Sequence, residues 1–238
     1  METPKAIKDN SYAIYGLGLS GNSTLNFLKN KKIKKIYTWD DKKDKNNKRK
    51  FNLFKKKLDE VDYIVISPGI NIQKTNFRLN LFKNKKKIIT DLDLFYMQKI
   101  PVKTIVITGT NGKSTACKLT QHIFKMNKLN ILLGGNIGKP ILDLKIKKKS
   151  IVIIEASSFQ LAYAKFIKPT VAAILNISSD HLDWHKTLLN YKNSKFKIFS
   201  KQDSNDIALL SDKKLISLFR KKKYLSKLNI VKKKHLSD

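Results

Sequence analysis

Short apolar runs alternate along this chain with longer segments whose apolar residues recur at helical spacing. That alternation is the sequence form of successive βαβ units and predicts an α/β fold built on parallel sheets. In the first half, Tyr12–Tyr15, Ile33–Thr38, Val61–Ser67 and Lys87–Thr90 read as strands. Val61–Ser67 is nearly all apolar, as a strand covered on both faces should be. The Lys- and Asn-rich stretch Asp41–Lys50 reads as an exposed loop. A second series follows Pro101, with strands expected at Val102–Thr108, Asn130–Leu133, Ile151–Glu155 and Val171–Asn176. The pattern restarts between Met97 and Pro101, which sets an expected boundary between a domain of residues 1–98 and one of residues 99–238. Beyond Ser200 it weakens through Ile207–Leu210 and Leu215–Phe219 and offers no clear closing element.

A chain of 238 residues, 41% of them hydrophobic, has material for two cores of this kind. The net charge of +32 invites a nucleic-acid reading. The residue types argue against it: of 50 basic residues only Arg49, Arg78 and Arg220 are arginine, the side chain that reads phosphates and bases with a planar fork. Lysine runs such as Lys85–Lys87 and Lys147–Lys149 are expected to be solvated surface. A lone cysteine, Cys117, and an amino terminus without the apolar run of a signal peptide point to a cytoplasmic protein. No stretch reaches the ~20 apolar residues of a membrane-spanning helix.

Four segments carry candidate chemistry. Val102–Thr108 runs into Gly109-Thr110-Asn111-Gly112-Lys113-Ser114-Thr115 and then a helical pattern, the form of a loop that cradles phosphates with backbone N–H groups, a helix N-terminus and a lysine. Ser114 can hold Mg²⁺ there. The generic phosphate-loop pattern asks for glycine where Ile107 stands, so only its Gly-Lys-Ser half is met. Gly16-Leu17-Gly18-Leu19-Ser20-Gly21 follows a strand and precedes the helical Ser23–Lys29, with Asp40 lying 22 residues beyond Gly18. This spacing fits a diphosphate at a helix N-terminus with Asp40 on a hydroxylated ligand, or a plain glycine turn. Glu155 ends the run Ile151–Glu155, where a carboxylate faces the ligand crevice of a parallel sheet and can reach ATP-bound Mg²⁺; the bland alternative is a solvated acid before a Ser157–Ser158 helix cap. Asn176–His185 packs Asp180, His181, Asp183 and His185 together; His181 could ligate a metal or orient phosphate, whereas a transition-metal site on both histidines lacks a supporting His or Cys cluster.

In this order, and joined by Ser67-Pro68-Gly69-Ile70 and Gly134-Gly135-Asn136-Ile137-Gly138, these segments closely resemble the Mur ligase family from Gly16 to Phe199. Its shortened phosphate loop, Thr108–Thr115, accounts for the glycine missing at 107. The resemblance implies a Rossmann-like domain that binds a UDP-sugar and an incomplete P-loop ATPase-like domain after it, with the amino-acid-binding domain absent. It implies an ATP-dependent ligase of peptidoglycan synthesis that adds D-glutamate to UDP-N-acetylmuramoyl-L-alanine through an acyl phosphate, with ATP and Mg²⁺. Gly109–Thr115 would hold ATP, and Lys113 would stabilise the transferring phosphoryl group. Ser114 and Glu155 would ligate one Mg²⁺, and His181 and a carbamylated Lys195 a second. Gly18, Leu19, Ser20, Asp40 and Ser67–Gly69 would hold the UDP-sugar, with Asn136, Ser157 and Gln160 near its reacting end. A non-catalytic ATP- and UDP-sugar-binding remnant, or one half of a split ligase completed by a separate C-terminal chain, are the alternatives. Ala156 and Ala162 depart from the closest family pattern.

Overall fold

The computed structural model describes residues 6–232, so the last six residues of the expected second domain lie outside it. The chain divides into two compact units. The first takes Met1–Ile100 with two later segments, Lys139–Lys145 and Tyr163–Phe166. It contains β1 (Tyr12–Tyr15), α1 (Leu19–Asn30), β2 (Ile36–Trp39), α2 (Lys48–Glu60), β3 (Tyr63–Ile66), α3 (Arg78–Lys83), β4 (Ile88–Ile89) and α4 (Asp91–Met97). Its sheet runs β2-β1-β3-β4, all parallel. Every residue of β1 is buried, and successive side chains serve opposite faces. Ala13 and Tyr15 join Trp39, Phe54 and Phe77, whereas Tyr12 and Ile14 join Leu28, Val65 and Leu94.

Two local departures from the sequence pattern have simple causes. The Ile33 N–H closes α1 on the Leu28 carbonyl at 3.1 Å after Lys32 turns with φ +59°, so β2 starts three residues later than expected. The stretch expected to be a loop as far as Lys50 gives its last residues to α2, because the Asn47 side chain accepts from the Lys50 N–H and Phe54 and Leu58 bury one face of that lysine-rich helix. Of the later segments, Lys139–Lys145 is tied in by Asp143, whose Oδ1 accepts from Ser23 Oγ at 2.7 Å, and Tyr163–Phe166 by Asp93. Its fully buried carboxylate accepts from Thr90 N and Oγ1 at 2.8 and 3.2 Å and from Lys165 N and Phe166 N at 2.7 Å each.

The second unit carries β5 (Lys103–Thr108), α5 (Lys113–Met126), β6 (Ile131–Gly135), β7 (Ile151–Glu155), α6 (Ser158–Tyr163), β8 (Val171–Ile174), α7 (Leu182–His185), α8 (Leu188–Phe196), β9 (Ile207–Leu210), α9 (Lys213–Lys221) and β10 (Lys227–Ile230). Its sheet runs β10-β9-β8-β5-β7-β6, again all parallel. β8 stops two residues short of the expected end: the Leu175 N–H makes the last bond to β5, at the Thr108 carbonyl, and Asn176 is given over to the loop after β5, its carbonyl accepting from Thr110 N. Leu215–Phe219 lies within a helix that buries Leu215, Ile216 and Phe219. β10 was not foreseen: it is a largely exposed edge strand and so has no apolar run to announce it.

In each sheet the strand order reverses beside the unit's first strand, at β1/β3 and at β5/β7. Ligands of open parallel sheets sit outside the carboxyl ends of strands at such a switch point. The Gly16–Gly21 loop and Ser67 leave β1 and β3 there, and Gly109–Gly112 and Ala156 leave β5 and β7. Among the described residues no helix is long and apolar enough to cross a membrane.

Candidate active site

The loop after β5 enters α5 through Gly112, whose φ of +77° is a left-handed conformation that glycine adopts without a steric cost. No side chain caps α5, which leaves first-turn amides to meet an anion. The loop's shape is set from across the sheet by Asn176. Its Oδ1 accepts from Thr110 N at 3.1 Å and Asn111 N at 2.9 Å, while its Nδ2 donates to the Asn111 carbonyl at 3.1 Å. Thr110 is fixed further: its Oγ1 accepts from Ser178 N at 3.0 Å and lies 3.0 Å from the Tyr191 hydroxyl. Lys113 Nζ donates to the Thr110 carbonyl at 2.7 Å. The bracing role of Asn176 has no spacing signature in the sequence, where it reads as the last residue of the strand Val171–Asn176.

At the end of β7, Glu155 is 1% exposed. Its Oε2 accepts from Ser114 Oγ and its Oε1 from Asn136 Nδ2, both at 2.7 Å. Among the described residues no ion pair joins this carboxylate, so a buried anion is served by two neutral donors. Such a group favours an added cation. Ser157 and Gln160, both buried, meet each other: Gln160 Oε1 accepts from Ser157 N at 3.2 Å and Oγ at 3.1 Å.

Lys195 is as deeply buried as Glu155. Its Nζ donates to the Gly109 carbonyl at 2.8 Å and sits 4.6 Å from the centre of the Tyr191 ring. Burial, reinforced by the positive charge of Lys113, presses its pKa down to about 7 against the pull of Asp180. His181 is half-exposed and has φ +52°; its N–H donates to Asp180 Oδ1 at 2.8 Å and its ring lies 4.8 Å from Phe159 and 6.3 Å from Tyr191. Ser114, Glu155 and Asn136 are therefore joined directly, whereas Lys195 and His181 gather at Tyr191. The two histidines of the motif part company. His185 is buried, 3.0 Å from Ser158 Oγ through Nε2, and burial with the nearby His181 and Lys195 lowers its pKa to about 4, which keeps it neutral.

In the first unit a Cβ on Gly21 would lie 1.8 Å from the Gly16 carbonyl oxygen, so this helix and loop pack at a distance only glycine allows. Ser67 Oγ donates to the same carbonyl at 2.8 Å. Leu19 and Ser20 open α1, which Gly18 precedes without a side-chain cap, and Pro68 and Gly69 follow β3. Asp40 takes an inward role: Oδ2 accepts from Leu17 N at 2.6 Å, and Oδ1 from Lys42 N and Lys43 N at 3.0 Å each. Burial raises its pKa, but these three N–H bonds outweigh that and hold it low.

Comparison with known proteins bears on this arrangement. The Mur ligase middle domain matches residues 107–236, more than half of the chain. A UDP-N-acetylmuramoylalanine–D-glutamate ligase of Aquifex aeolicus is 36% identical over 202 residues, 84% of this chain and 46% of that protein. The enzyme of the same name from Buchnera aphidicola is 38% identical over 228 residues, 90% of this chain and 50% of that protein. The chain thus spans about half the length of the curated relatives it matches. In fold it is similar to the UDP-N-acetylmuramate:L-alanyl-gamma-D-glutamyl-meso-diaminopimelate ligase of Neisseria meningitides, with a TM-score of 0.55 at 14% identity over 92% of this chain and 77% of that one. With parallel switch-point sheets, the shortened Gly-Lys-Ser loop and a match over most of the second unit, this chain belongs to the Mur ligase family.

Proposed function

We propose that this chain carries the UDP-sugar- and ATP-handling part of a ligase that joins D-glutamate to UDP-N-acetylmuramoyl-L-alanine in peptidoglycan precursor synthesis. The observation that carries the reading is the buried Glu155 carboxylate beside Ser114 at the start of α5. Both are hard oxygen donors, and among the described residues no three His, Cys, Asp or Glu side chains gather into an all-protein metal cage. That donor set fits Mg²⁺, which keeps water and substrate phosphate oxygens in its shell. Ser114 and Glu155 would hold it, and it would neutralise charge on the phosphates when bound. His181 and Lys195 are assigned to a second ion, Lys195 only once its amine has taken up CO₂ as a carbamate.

Gly109–Thr115 then holds the triphosphate of ATP, and Lys113 exchanges the Thr110 carbonyl for the γ-phosphate. A carboxylate oxygen of the L-alanyl group attacks the γ-phosphorus, giving acyl phosphate and ADP. The amine of D-glutamate attacks the acyl carbon, phosphate leaves, and loss of a proton completes the amide. Asn136, Ser157 and Gln160 are assigned to the reacting end of the UDP-sugar. In the first unit Gly18, Leu19, Ser20 and Ser67–Gly69 are assigned to the UDP moiety, with Asp40 shaping their loop.

Calorimetric titration tests the reading. MgATP and UDP-N-acetylmuramoyl-L-alanine should each bind, with Lys113→Ala abolishing only the first; preference for NAD over the UDP-sugar would overturn it. Phosphate release that needs both the UDP-sugar and D-glutamate, measured with this chain alone and with a chain bearing a D-glutamate-binding domain, assigns turnover to one or the other.

A further inference from the structure

We propose that His185 is a positioning residue, a strut that uses its hydrogen bond to Ser158 to set His181 and α8 relative to the strand end bearing Glu155. The inference rests on the reading of His181 as a metal ligand. Ser158 follows Glu155 by three residues and opens α6, so its hydroxyl rides on the end of β7. His185 closes α7, whose turn begins at His181: the backbone N–H groups of Trp184 and His185 donate to the His181 carbonyl at 3.1 and 2.9 Å. The His185 imidazole and the His181 backbone are therefore one stiff turn, anchored at Ser158 Oγ 3.0 Å away.

The surroundings make the anchor directional. Phe159 stacks on His185 at 5.7 Å and 11° and also lies against His181, 4.8 Å between ring centres. Tyr191 of α8, the residue over which Lys195 lies, is 5.1 Å from His185. Asn190 Nδ2 donates to the His185 carbonyl at 3.0 Å. His181 itself has φ +52° and stands at the N-cap of α7, where the turn begins. The Ser158 bond satisfies a buried ring nitrogen and at the same time fixes the imidazole between Phe159 and Tyr191.

The test is binding of Mn²⁺, standing in for Mg²⁺, to this chain with a non-hydrolysable ATP analogue, followed by electron paramagnetic resonance of the free ion. Two affinity classes are expected, and His181→Ala should weaken the weaker one. His185→Phe, which keeps the stack and loses the hydrogen bond, should weaken the same class about tenfold, the low end for groups that orient metal ligands from behind. Ser158→Ala should do the same, while His185→Gln should restore affinity to within about threefold. If His181→Ala weakens that class but His185→Phe and Ser158→Ala do not, the strut is refuted and the ligand reading stands. If His181→Ala changes nothing, the ligand reading falls and takes the strut with it. Should His185→Phe fail to fold by thermal melting, Ser158→Ala decides alone: wild-type affinity overturns the proposal.

Discussion

Replacing Asn176 with alanine should loosen the phosphate loop while leaving the second unit folded. The side chain makes three hydrogen bonds to Thr110 and Asn111, and all three are lost. A typical intramolecular hydrogen bond contributes about 0.5–1.5 kcal/mol net. Asn111 is exposed and its groups can turn to water, and the Thr110 N–H keeps the Asn176 backbone carbonyl at 3.0 Å. The loss therefore belongs near the low end, about 2 kcal/mol in total. Because it falls on the order of the loop rather than on the core, it should appear as nucleotide affinity, and about 2 kcal/mol corresponds to roughly 30-fold. Calorimetric titration of MgATP into the wild type and Asn176→Ala, with thermal melts of both, measures the two effects separately. Asn176→Asp sharpens the test: it keeps acceptors for both N–H groups but loses the donor to the Asn111 carbonyl and adds a negative charge beside the phosphates, so it should bind more weakly than alanine. An affinity within threefold of wild type for Asn176→Ala would refute the bracing argument, whereas an aspartate variant that binds better than the alanine one would show that the two retained acceptors outweigh the added charge.

Other consequences are equally direct. With its pKa near 7, Lys195 becomes a neutral nucleophile as pH rises through that value, so at fixed CO₂ pressure a ¹³C carbamate resonance should grow across it and be missing from Lys195→Arg. The unfolded chain holds the extra proton between about pH 7 and the ordinary lysine value of 10.5, so stability should rise with pH across that window in the wild type and less so in Lys195→Met, read from urea melts at several pH values. Asp93→Asn should destabilise the first unit by about 2 kcal/mol despite being isosteric, because all four partners of that carboxylate are donors and an amide NH₂ must face one of them; an unchanged melting temperature would count against this. Gly21→Ala should abolish UDP-sugar binding with the first unit's melting transition, since its Cβ meets the Gly16 carbonyl at 1.8 Å; retained binding would show that α1 can shift.

What the sequence made legible was local. Strands covered on both faces, such as β1 and β7, announce themselves as apolar runs, and glycines at the first strand-to-helix turn of each unit, joined by Lys113 in the second, mark where a phosphate can approach. Asp41–Lys50 hides the start of α2, because its lysine content masks the Asn47 cap that begins the helix, and the apolar anchor, Phe54 and Leu58, comes only later. β10 was silent for the opposite reason, as an exposed edge strand needs no apolar face.

The bracing groups were illegible for a different cause. Asn176 meets the phosphate loop across 65–66 residues of sequence, Asp93 meets Lys165 and Phe166 across 72–73, and His185 meets Ser158 across 27. No spacing rule reports such pairs, because each exists only after the fold brings two distant segments side by side. Asp40 shows the limit most clearly. A dinucleotide fingerprint assigns a carboxylate at that spacing to a ligand hydroxyl, yet three backbone N–H groups already bond it before any ligand arrives, two on Oδ1 and one on Oδ2. Spacing locates the group, and only the accounting of its hydrogen-bond partners tells whether it recognises the ligand or shapes the loop that does.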